Sequence, residues 1–165
     1  MKYPLLAAVL PGLLLACSTN QSTDKTVKSN YSDLPISADE LTRPQWQTLS
    51  RFPPRYPKKE AMARNSGCAT VEYVITANNM VTGVHVIESS STYFAKEAQQ
   101  VVNKWDWAAL PTTILEKPVK TQTRFEFCLE NGSGNCAMDK LQAKQQCPGS
   151  DVIASVGSVV RKRDL

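Results

Sequence analysis

Between Cys68 and Leu129 the order of apolar and polar residues changes period twice, and each period names an element. Ala69, Val71, Tyr73 and Ile75 alternate with Thr70, Glu72 and Val74, the two-residue repeat of a strand with one buried face. Asn78 and Asn79 follow, and asparagine tolerates the left-handed backbone of a tight turn. A second strand over 81–88 is therefore predicted to fold back on the first. In it Val84 and Val86 suit the core better than His85 between them, which is expected in solvent. Ser89, Ser90, Ser91 and Thr92 then offer side-chain oxygens for a helix start. Phe94, Ala98, Val101, Val102 and Trp105 recur at helical spacing, predicting an amphipathic helix with one face on the sheet; Trp105 and Trp107 read as packing residues at its end. Beyond Pro111 and Pro118, Thr121, Thr123, Phe125, Phe127 and Leu129 alternate with Gln122, Arg124, Glu126 and Cys128, a third strand.

The flanks have no such rhythm. Residues 18–51 are rich in Ser, Thr, Asn, Asp and Lys and read as a tether. Leu34, Ile36, Leu41, Trp46 and Leu49 interrupt it and suit a short docking helix starting near Ser37 or Asp39, its length limited by Pro44. Phe-Pro-Pro-Arg-Tyr-Pro at 52–57 is extended, because each proline fixes its own φ and restricts the residue before it. After Leu129 come a glycine loop at 132–134, a helix-compatible run at 137–146, and a small, weakly apolar end closing in Arg161, Lys162 and Arg163. The expected division is a leader at 1–16, an anchored linker at 17–51, one folded domain at 52–130, and an extension at 131–165 holding a disulfide.

A chain of 165 residues with 42% hydrophobic and 21% charged residues has room for a single core of ordinary size. Its net charge of +4 is mild and the signs are mixed, so no basic stripe follows a phosphate backbone and nucleic acid is not expected as a partner. The apolar run at 5–15 is shorter than the roughly 20 residues that span a bilayer. With Lys2 before it and Leu-Leu-Ala-Cys at 14–17 after it, it reads as a signal peptide ending in a bacterial lipobox, with Cys17 acylated as the anchor. Ser18 after that cysteine points to the outer membrane. Once Cys17 is set aside, Cys68, Cys128, Cys136 and Cys147 form an even set, which in an exported chain reads as two disulfides. Zinc is disfavoured, since there is no Cys-x-x-Cys and His85 is the one histidine. No cofactor is implied, and no nucleophile and base pairing, phosphate loop or acid pair marks an enzyme.

Strand, turn, strand, helix and strand, introduced by Pro54, Tyr56 and Pro57, resemble the TonB C-terminal domain family over about residues 53 to 130. Gly67, the strands around 71–75, 84–90 and 125–129, and Ala98 and Trp105 carry the resemblance, while Asn78-Asn79 stands where that family usually has Asp-Gly. It implies an α+β fold in which a small antiparallel three-stranded sheet packs on one helix. It also implies a function: binding an envelope protein, such as an outer-membrane transporter or its periplasmic segment, as an extra strand on the sheet edge. Tyr56, Thr121, Thr123, Phe125 and Phe127 are then the candidate partner-binding residues, Tyr56 serving either as a lid over the core or as a partner contact.

In that topology the third strand runs antiparallel to the first. Four cysteines allow three pairings; Cys68 with Cys128 would set Glu72 opposite Arg124 as an ion pair and Val71 opposite Phe125, leaving Cys136 for Cys147. Three functions fit the resemblance. The favoured one is a lipid-anchored periplasmic adaptor; the second is a TonB-type energy transducer, disfavoured by the missing uncleaved helix and Pro-rich spacer. The third is a structural lipoprotein whose sheet edge is blocked by its own tail.

Overall fold

The computed structural model describes residues 31–158, so Cys17 and the terminal basic run lie outside the described residues. Helix α1 spans Lys58–Met62, strand β1 Gly67–Ile75, β2 Val81–Ser89, helix α2 Thr92–Val102, β3 Val119–Glu130, helix α3 Met138–Gln142 and β4 Val152–Ser158. The alternating segments form the expected strands and the helically spaced one forms α2. The turn between β1 and β2 closes with Asn79 at φ 58°, and its side-chain amide donates to the carbonyls of Leu110 and Pro111, fastening the hairpin tip to the chain beyond the helix. Ser91 caps α2, its hydroxyl accepting from the amides of Tyr93 and Phe94.

Phe94, Ala98, Val101 and Val102 of α2 are buried against Ala69, Val71, Tyr73 and Ile75 of β1 and Phe125 and Phe127 of β3. Each large side chain so buried contributes roughly 1.5–3 kcal/mol of transfer free energy. The rings interlock: Phe94 stacks on Phe127 at 4.4 Å, Tyr56 meets both edge-on at 5.8 Å, and Trp107 lies within 6.3 Å of Trp46 and 6.1 Å of Tyr73. Trp46 comes from the segment read as tether. Instead of one helix it forms two single 3-10 turns, Glu40–Thr42 and Pro44–Trp46, and delivers Leu41, Trp46 and Leu49 to the core. The proline allows a new turn to begin but not the old one to continue.

The sheet has four strands, not three, in the order β2-β1-β3-β4. β4 lies parallel to β3, Arg124 facing Val152 through to Glu130 facing Ser158. Its sequence, Val-Ile-Ala-Ser-Val-Gly-Ser, lacks large side chains because the extended 52–57 segment lies on it: a Cβ at Gly157 would stand 2.8 Å from Leu129 and 3.0 Å from the Tyr56 ring. That smallness hid the strand from a hydrophobic pattern.

β1 and β3 are antiparallel, but slipped by two residues from the expected register: Thr70 faces Arg124 and Glu72 faces Gln122. A two-residue slip keeps every side chain on its expected face and changes every pairing. The cysteines explain it. Cys68 bonds Cys147 and Cys128 bonds Cys136, so neither expected bridge forms and Cys68 faces Glu126 instead of Cys128.

Candidate protein-interaction site

The face of the sheet away from α2 carries Cys68, Thr70 and Glu72 from β1 and Gln122, Arg124, Glu126 and Cys128 from β3. Residues 131–150 lie over its upper half. The disulfides pin this cover to both strands, Thr70 donates its hydroxyl to the Pro148 carbonyl, and Leu141 of α3 is buried. At its centre is Arg124, whose guanidinium donates to the carbonyls of Leu141, Gln142, Lys144 and Cys147. Two of these, Leu141 and Gln142, are among the last carbonyls of α3, so a β3 cation caps the helix of the cover. Glu126 beside it is buried, 3.4 Å from Arg124 Nε and 3.8 Å from Lys144 Nζ, and neither carboxylate oxygen has a hydrogen bond. Burial pushes its pKa up against the pull of both cations. The expected Glu72–Arg124 pair is absent because the register moved; Glu72 instead accepts from Gln122 at 2.8 Å and lies 3.5 Å from His85, which is exposed as expected.

On the helix face a buried polar chain ties the start of β4 to the core. Arg51 donates twice to Asp151, Thr123 donates to the same carboxylate at 2.8 Å, and the Tyr73 hydroxyl lies 2.8 Å from the Thr123 hydroxyl. Burial raises the Tyr73 pKa well above its ordinary value, so this phenol stays neutral.

These arrangements close the edge of β3 that was expected to bind a partner. Lys120 bridges Ile36, Ser37 donates its amide to the Lys120 carbonyl, and Thr121 donates its hydroxyl to the Ser37 carbonyl; from Arg124 onward β4 takes over. Thr121, Thr123, Phe125 and Phe127 are all buried, so none presents a side chain to a partner. Tyr56 is a lid: its ring packs on Phe94 and Phe127 and its hydroxyl donates to the Asn65 carbonyl.

The sheet instead ends at β2 and β4, and the two edges differ. β2 carries two bulges against β1, one beside Gly83 at φ 62°, and bulges twist an edge out of reach of another strand. β4 has no bulge, proline or charge. Arg124 donates its amide to the Asp151 carbonyl, which sets the phase of the parallel ladder. Residues 153, 155 and 157 therefore bond inward to β3, and the backbone groups of Val152, Ala154, Val156 and Ser158 point outward. Among the described residues no backbone group pairs with them. This open edge lies in the unpatterned tail; its one signal in the sequence is the β-branched Val152, Ile153 and Val156 between Gly149 and the charged end.

The described residues thus define an α+β domain with one helix on its sheet, a disulfide-pinned cover on the opposite face, and an unprotected edge strand. Residues 53–129 match the family model for the Gram-negative bacterial TonB protein C-terminal, and this stretch is a TonB C-terminal domain. α3, β4, Cys136 and Cys147 lie outside the matched stretch. A solution NMR structure of the Pseudomonas aeruginosa TonB C-terminal domain is similar at 25% identity, covering 47% of this chain and 80% of that one with a TM-score of 0.35. No curated protein matches the chain.

Proposed function

We propose that this is a lipid-anchored protein-binding module of the cell envelope, held on the periplasmic side of the outer membrane through Cys17, that captures an extended segment of a partner along β4. It acts by binding, with no catalytic step. The observation that carries the reading is the row of outward backbone groups at Val152, Ala154, Val156 and Ser158, unpaired among the described residues and lacking the protection found on β2. Backbone hydrogen bonds along such an edge supply affinity, and side chains at alternate positions supply selectivity. Because residues 53–129 form a TonB C-terminal domain, the natural partner class is an envelope protein such as an outer-membrane transporter or its periplasmic segment.

A second reading is favoured by the closed β3 edge: β4 serves only to seal the sheet, and the protein is a structural element of the envelope. One experiment separates the two. A photo-crosslinking residue at Val156, with another at Thr82 on β2 as control, is irradiated in intact cells, with and without Ala154→Pro. Proline removes an outward donor and leaves the β3 ladder intact. On the binding reading Val156 yields a discrete crosslinked partner that Thr82 does not, and Ala154→Pro abolishes it while the unfolding midpoint stays put. Equal labelling at both positions, or labelling indifferent to the proline, supports the sealing role.

A further inference from the structure

Residues 55–65 close on themselves. The Tyr56 hydroxyl donates to the Asn65 carbonyl, and Asn65 donates its side-chain amide to Glu60. Glu60, the only acidic residue in this unit, is buried and also accepts from the Ser91 hydroxyl at 2.6 Å; these hydrogen bonds hold its pKa below the ordinary value, so it is an ionised group turned inward. Arg55, Lys58, Lys59 and Arg64 are all exposed. A solvated surface ordinarily mixes signs, whereas here the carboxylate points in and four cations point out. The whole chain has a net charge of only +4, so this concentration is local.

The same face carries apolar side chains. Met62 is 84% exposed, the most open large hydrophobic residue among those described, and lies four and three residues after Lys58 and Lys59 on one face of α1. The Lys59 ammonium lies 4.8 Å from the ring centroid of exposed Tyr93 and 2.8 Å from its hydroxyl.

We propose that this face docks on an anionic lipid surface. The cations meet headgroup phosphates while Met62, on the helix face of the Lys59–Tyr93 pair, enters the boundary between headgroups and acyl chains. Basic residues around an apolar apex suit a layer that is charged outside and apolar within. Docking in this way would orient the domain on the membrane whatever anchors the chain.

The test reads local insertion in the full-length chain on vesicles, so that any anchor contributes equally to every sample. Met62→Trp supplies a reporter, and Thr82→Trp, exposed at the other end of the sheet, supplies the control; Trp46, Trp105 and Trp107 are buried and give a constant background. With brominated phosphatidylglycerol the reporter at position 62 should shift to the blue and be quenched, with the control unchanged. With brominated phosphatidylcholine the quenching should be weak. Adding Lys58→Glu and Lys59→Glu should lower the docked-to-undocked ratio, read from the quenching, by about tenfold or more. Both lysines are exposed, and an unchanged near-ultraviolet circular dichroism spectrum checks the fold. Equal quenching at the two positions, none at position 62, or quenching indifferent to lipid charge or to the lysines would overturn the proposal.

Discussion

Arg124 and Glu126 sit two apart on one face of β3, and the cover makes them opposites. Arg124 satisfies four carbonyls, while the Glu126 carboxylate has two cations nearby and no hydrogen bond. Burial outweighs those cations, so the folded pKa of Glu126 is the raised one. For a carboxyl group this sign means that the fold binds the proton more tightly than the unfolded chain does. Its contribution is constant in strong acid and becomes unfavourable as pH rises from the ordinary 4.5 through the folded value, then levels off. Glu126→Gln removes this titration. Urea unfolding across a pH series should show the stability of the variant relative to wild type flat below about pH 4 and moving in the variant's favour above it. A drift in the other direction would mean that Arg124 and Lys144 outweigh burial. The alternation along β3 showed which face both residues occupy; that a distant loop would bury them was not legible, because nothing in the alternation says what covers a polar face.

At the scale of elements, the cover and β4 are held by bridges of unequal reach. Cys68 and Cys147 are 79 residues apart, Cys128 and Cys136 only 8. In the loop-entropy picture the long bridge stabilises by about 4.5 kcal/mol and the short one by about 2.5, before allowing for their nesting. Cys68→Ala with Cys147→Ala should therefore lower the unfolding free energy more than Cys128→Ala with Cys136→Ala, and it alone should loosen β4, whose first residue follows Cys147 closely. Denaturant unfolding and amide exchange at 152–158 measure the two effects; peptide mapping of unreduced protein checks the pairing directly. The cysteine pattern announces two disulfides but not their partners, because cross-strand proximity is the only geometry that a strand pattern offers. Cys147 reaches Cys68 through a chain reversal that no strand register encodes.

For the molecule as a whole, the proposed anchor at Cys17 would decide where any binding edge is presented. Leu-Leu-Ala-Cys at 14–17 carries that expectation. Cys17→Ser should leave an unprocessed or mislocalised precursor, seen by labelling with radioactive palmitate and by membrane fractionation; a variant still processed and lipid-labelled would remove the lipoprotein reading. The sequence by itself determined β1, β2, α2 and β3, and which of their faces turn inward, because a half-buried element must repeat its apolar residues at its own period. It also marked the turn at Asn78-Asn79, in which Asn79 takes the left-handed backbone, and the capping serines, which depend on local backbone chemistry. Leu41 and Trp46 were expected to dock from one short helix and do so from two 3-10 turns; only the tertiary structure decided the register, the cysteine partners and the addition of β4. Each of these joins residues far apart in the chain, through groups that are polar or small, and such groups leave no period to read. The same holds for the open edge of β4: whether a strand's outer groups are free is a property of its neighbours.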